Sequence, residues 1–156
     1  MDIRLILAFV NLLCAGILTD MEIMIHYGLR GVTEGLDDQS QLQLRKALVL
    51  RLRVLVPAFF LPMLLTGIAI AALQGVAPGL WLRVVGLLAM LIWIIVRIIG
   101  TVPINSATLD WDLAAPPQDW KAQIAHAERF HDVGVWAVVL SFACFLAAAA
   151  VTLTTR

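Results

Sequence analysis

Glu22 and His26 close the first apolar run of this chain, and Glu128 and His131 open the last. A carboxylate and an imidazole three or four residues apart share one face of a helix. Each pair therefore offers an acid and a base, or two metal donors, to a single point. Contributed twice, Glu22, His26, Glu128 and His131 form the ligand vocabulary of carboxylate and histidine metal centres in four-helix bundles. Such a mixed oxygen and nitrogen set suits iron first, then manganese or zinc. His26 and His131 would alternatively serve as axial ligands of a haem, with arginines over its propionates. With no cofactor bound, the same groups remain bases able to take a proton from a phenol-like substrate.

The elements that must position them are hydrophobic. The 156 residues are 62% apolar and 14% charged, with a mean hydropathy of +0.94. Soluble domains run about 45–50% apolar and about 25% charged. A bilayer core of about 30 Å needs about 20 largely apolar residues per helix. Four stretches meet that length: residues 3–25, 54–73, 80–99 and 133–153. The expected fold is an all-α integral-membrane four-helix bundle in one domain, residues 1–156, with helical extensions beyond the membrane on one side. Those extensions are residues 41–53 and 119–132, with Asp119 as a plausible cap before Trp120. Gly75 to Gly79, with Pro78, predicts a tight turn between the second and third spans. Residues 27–41 and 100–119 read as long loops on the side that carries the Glu/His pairs. Pro57 and Pro62 predict a kink or an opened backbone in the second span. Asp2 and Arg4 make a poor signal-peptide start, so the first run reads as a retained membrane helix.

A net charge of zero removes the electrostatic case for nucleic acid. Arg30, Arg45, Lys46, Arg51, Arg53, Arg97, Lys121 and Arg129 fall on the long-loop side, against Arg4, Arg83 and Arg156 opposite. The positive-inside rule then places the long loops in the cytoplasm of, most simply, a bacterial inner membrane.

Asn11, Ala15, Thr19, Glu22 and His26 follow helical steps and form one stripe on the first span. Glu128, His131 and Asp132 share a face by the same arithmetic, while His126 falls elsewhere. Arg97, close to the end of the third span, is costly in a membrane unless paired or solvated. It is expected either to pair with these acids, Glu128 among them, or to bind an anion or oxyanion. Arg51 and Arg53 are candidates to pair with Glu22 or to hold a cofactor, and Asn105 to cap the loop or reach the site. Trp111, Trp120 and Trp136 read as interface-belt residues or as walls for an aromatic substrate. Cys14 and Cys144 lie inside apolar runs and read as buried thiols. The opposite end of the bundle reads as almost featureless.

Thr101-Val102-Pro103-Ile104-Asn105, then Trp111-Asp112, Pro116-Pro117, Trp120 and Glu128-Arg129-Phe130-His131, resemble the anthrone oxygenase-like family of small four-helix integral-membrane proteins. The resemblance runs from about Gly100 to Phe145, with Pro103, Asn105, Trp120 and His131 carrying the pattern. Where relatives often have an arginine shortly after the histidine, this chain has Val133-Gly134. The resemblance implies oxidation by O2 of an electron-rich polycyclic phenol.

The expected function is a membrane oxidoreductase, an oxygenase that draws an apolar aromatic substrate from the bilayer. His26, His131, Glu22 and Glu128 would bind a metal or act as bases, and Arg97 would stabilise the resulting phenolate. The alternatives are a haem- or metal-binding accessory subunit of a membrane complex and a small proton-coupled transporter. Expected partners are membrane lipids, a small apolar substrate, and further copies of the chain or a larger membrane complex.

Overall fold

The computed structural model describes residues 2–154. Met1, Thr155 and Arg156 lie outside that range, so Arg156, used above for orientation, has no structural account. The described chain consists of helices joined by short connections: α1 (Ile3–Ile23), α2 (Arg30–Glu34), α3 (Asp38–Gln74), α4 (Leu80–Val96), α5 (Val102–Asp110) and α6 (Trp120–Thr154). A π-helical segment, Met24–Leu29, runs α1 into α2, and another, Arg97–Thr101, runs α4 into α5. The result is four long rods, each apolar enough over part of its length to cross a membrane.

Neighbouring rods pack in a closed ring: α1 on α3, α3 on α4, α4 on α6 and α6 on α1. The surface of this ring is as apolar as its interior. Phe9, Leu65, Ile99 and Trp136 are each 63–65% exposed. A face of that kind is stable against lipid tails and not against water.

Without a hydrophobic drive between helices, contact in a membrane depends on small residues and interhelical hydrogen bonds. Both are present. Asn11, fully buried on α1, donates through Nδ2 to the Met63 carbonyl of α3 at 2.8 Å. Gly67 makes room for that amide, since a Cβ there would sit 3.2 Å from Asn11 Nδ2. On the other side of the bundle the Phe145 ring lies flush on Gly86, where a Cβ would come within 2.7 Å of it. Cys14, Leu18, Met63, Met90, Trp93, Val138 and Phe145 make up the buried centre.

Two expectations for the connections are corrected. Residues 27–41 are not a long loop: helix continues to Glu34 and resumes at Asp38. The Asp37 carboxylate caps α3 by accepting from the Ser40 amide at 3.0 Å. Its bonds from Ser40 hold its pKa below the usual aspartate value. Residues 100–119 likewise shrink to 111–119, because Pro103 falls in the first turn of α5 instead of ending the helix. A proline in the first turn gives up an N–H that has no essential partner. The wide π turn before it also relieves the usual clash of the ring with the preceding turn.

The extensions at residues 41–53 and 119–132 are helical, as the first parts of α3 and α6. Asp119 occupies the expected position before Trp120: its carbonyl accepts from the Gln123 amide at 3.0 Å, and its side chain accepts from Gln123 Nε2 at 3.0 Å. Trp120 is no belt residue but packs with Leu42 and Ile124 in a small core beyond the membrane, with Trp111 against it. Lys46 ties the 111–119 connection to α3 by donating to the carbonyls of Leu109 and Trp111. At the other end Gly75 and Gly79 make the expected turn with φ of +61° and +87°, a region closed to most side chains.

Gly86→Ala is expected to destabilise the detergent-solubilised protein by about 1–3 kcal/mol, as overpacking does. Combining it with Phe145→Leu should recover part of that loss. Equal melting temperatures for the wild type and Gly86→Ala would contradict the packing described.

Candidate functional site

Both π segments occur at the same end of the bundle, and each carries a residue with chemistry: His26 in one, Arg97 in the other. A π turn is an uncommon local geometry, frequent at functional positions, that re-aims side chains relative to the α-helical rod. Here the two turns bring α1 and α4 side chains toward α6.

Arg97 and Glu22 meet in a salt bridge, with the Glu22 side chain 1% exposed and that of Arg97 13%. The Arg97 guanidinium also lies 5.3 Å from the centre of the Trp93 ring. The second Glu22 oxygen faces His131 Nδ1 at 3.5 Å, longer than a good hydrogen bond and short enough for electrostatic contact. His131 is buried, and among the described residues its buried Nε2 has no partner. Its ring lies 5.6 Å from that of His26, centre to centre. His26 Nδ1 in turn sits 3.2 Å from Asp132. Arg30 closes the outer edge, 3.1 Å from Glu128 and 3.7 Å from Asp132.

The expected convergence is therefore present: Glu22, His26, Glu128, His131 and Arg97 belong to one polar network. Its pairing differs from that expected. Arg97 takes Glu22 and not Glu128, while Glu128 takes Arg30. Arg51 and Arg53 are exposed on α3 and do not line the cavity. Asn105 does line it, and accepts from Arg45 Nη2 at 2.9 Å. His126 stays outside the network, exposed and stacked edge-on against Phe130 at 5.2 Å.

Arg45, like Arg30, is a cavity residue that the sequence reading missed as a site residue. It lies two helical turns nearer the start of α3 than the arginines at 51 and 53. Among the described residues no carboxylate is within ion-pair distance of it, and its buried Nε has no partner. The usable signal was its position one step from Gln41 and Leu48 on a single face of α3, all of which line the cavity.

The cavity enclosed by these groups measures about 120 Å³. Polar groups occupy part of its wall; Ile25, Leu29, Leu48, Val49 and Leu52 supply an apolar remainder.

The donors do not fit a metal as they are arranged. Among the described residues no three His, Cys, Asp or Glu side chains are grouped to hold an ion. The two glutamates offered as ligands each carry an arginine, a neighbour that competes with a metal cation. A haem fits no better. Its macrocycle would have to enter between the two imidazoles, in a cavity of about 120 Å³, where cofactor sites start at about 300 Å³.

Comparisons with family models, with curated proteins and with solved structures give no match. The functional reading thus rests on the chemistry of the site.

A buried ion pair that loses one member leaves an uncompensated charge. Arg97→Leu is expected to cost about 3–5 kcal/mol on that ground. The double variant Arg97→Leu/Glu22→Leu should lose less than Arg97→Leu alone. Additive losses in a double-mutant cycle of unfolding in detergent would show that the two do not interact.

Proposed function

We propose that the cavity is the active site of an integral-membrane oxygenase that acts, without a cofactor, on an apolar substrate bearing an acidic C–H beside an aromatic ketone or phenol. The observation that carries this reading is a buried carboxylate–histidine couple next to a cation that lacks a carboxylate. Glu22 faces His131 Nδ1, the buried His131 Nε2 is without a partner among the described residues, and Arg45 lines the same cavity.

Glu22 orients the imidazole and supports the positive charge it gains, so His131 Nε2 acts as the general base. Proton loss from the substrate methylene leaves a delocalised anion with its charge on oxygen. Arg45, held by Asn105, binds that oxyanion, and Arg97 adds to the field. The anion gives an electron to O2, the two radicals combine, and protonation yields a hydroperoxide. Removal of the second C–H proton as the O–O bond breaks gives a ketone and water. Overall, one methylene and one O2 become one carbonyl and one water: carbon loses four electrons and O2 gains them. The proton leaves by way of His26 and Asp132, whose side chain is 46% exposed.

The apolar wall and the lipid-facing exterior suit a substrate that arrives from the bilayer with only its reacting edge in the cavity. The cationic side would face the cytoplasm of a bacterial inner membrane, as the positive-inside rule favours.

The test is O2 uptake by protein in lipid nanodiscs given an anthrone-type substrate, with quinone absorbance followed in parallel. Turnover is expected to survive metal chelation. In His131→Gln it should fall by roughly 10²–10⁴-fold, the share a general base contributes. Arg45→Gln should lower turnover while Arg51→Gln leaves it unchanged. No O2 uptake by the wild type, or full uptake by His131→Gln, would refute the proposal, and loss of turnover on chelation would return the metal reading.

A further inference from the structure

We propose that the opposite end of the bundle binds an anionic phospholipid, with its phosphate on Arg83 and an acyl chain in the cavity among the four rods. That end is not featureless, as the sequence suggested. Arg83, in the first turn of α4, is 3% exposed although it carries a full charge. Among the described residues its one side-chain hydrogen bond is from Nε to Gln74 Oε1 at 2.7 Å. Among the described residues no carboxylate lies within ion-pair distance of it. Among the described residues the two Nη nitrogens have no partner, yet they are not sealed from open space.

A buried guanidinium without an anion is a costly arrangement, more so at the edge of a membrane. It becomes favourable when a phosphate engages the free Nη groups, the geometry in which arginine excels. Gln74 holds the fork in place: its own Nε2 donates to the Pro78 carbonyl at 2.7 Å, and its oxygen takes the Arg83 Nε–H. Arg4, exposed at the rim on α1, supplies a second cation.

The cavity below them measures about 270 Å³. Leu5, Ala8, Phe9, Leu12, Ile70 and Ala149 make its wall almost wholly apolar. From Arg4 to Leu12 it extends about 12 Å along α1, at 1.5 Å per residue. A charged head and a long apolar slot, opening where lipid headgroups lie, fit a two-part amphiphile. They do not fit a small soluble anion, which would leave the slot empty. Basic pockets between membrane helices are places where anionic headgroups bind. Bilayer phospholipid is the source that is always at hand.

Native mass spectrometry of the delipidated protein, titrated separately with phosphatidylglycerol, phosphatidylcholine and oleate, tests the assignment. Wild type is expected to take up phosphatidylglycerol in preference to the other two. Arg83→Gln should weaken that binding by roughly tenfold, the value of one charge-assisted hydrogen bond. Ala149→Phe keeps Arg83 and fills the slot, so it should weaken binding too and serves if Arg83→Gln does not fold. Equal uptake of phosphatidylcholine would overturn the proposal, as would stronger uptake of oleate. Undiminished phosphatidylglycerol binding by folded Arg83→Gln, or by Ala149→Phe, would do the same.

Discussion

A glutamate that is 1% exposed inside an apolar bundle must have its charge answered within reach, and Arg97 answers it. Much of the surrounding architecture follows from that requirement. Glu22 lies on α1 and Arg97 begins the π segment after α4, so the pair fixes two rods that touch mainly through their neighbours. It also sets their relative depth. Apolar side chains slide past one another at small cost, whereas a buried ion pair has one register. His131 and Trp93 then close around the pair from α6 and α4, which leaves the imidazole of His131 held between a carboxylate and a cavity.

The two ends of the bundle treat charge in different ways. At the Glu22 end, three arginines share the cavity wall, and two of them are matched by carboxylates. At the Arg83 end, among the described residues, the buried guanidinium meets only a neutral amide. A bundle built this way has one end suited to chemistry and another suited to the membrane that holds it.

The broad fold was legible because the bilayer imposes length and composition. Four apolar stretches, the 75–79 turn and the polar stripe from Asn11 to His26 could be read from spacing, and the structure buries Asn11, Ala15, Thr19 and Glu22 on that stripe. The connections were misread for a local reason. Gly28, Gly31 and Pro103 are loop residues by habit, but each falls where helix tolerates it, within or next to a π turn. Which arginine meets which acid was not legible. Arg30, Arg45, Arg51 and Arg53 are one residue type on the same side of the bundle, separated only by depth and angular position. A π turn upstream of Arg30 changes that angle in a way no 3.6-residue count anticipates. Trp120 was misjudged because a tryptophan beside a membrane usually lies in the interface, and the small core with Leu42 and Ile124 depends on chain distant in sequence.

The π turns also restrict how this chain can change in length. An α-helix advances about 100° per residue, so losing one residue from Met24–Leu29 while the wide turn is kept would rotate everything beyond it by about that amount. Arg30 would swing away from Glu128 and Asp132, although no residue in the membrane half had moved. The same holds beyond Arg97–Thr101, where Asn105 would leave Arg45. Segments that resemble surface connections in the sequence therefore behave as phase elements: apart from His26, Arg97 and the closely packed Gly100, what they must keep is the match between residue count and turn width.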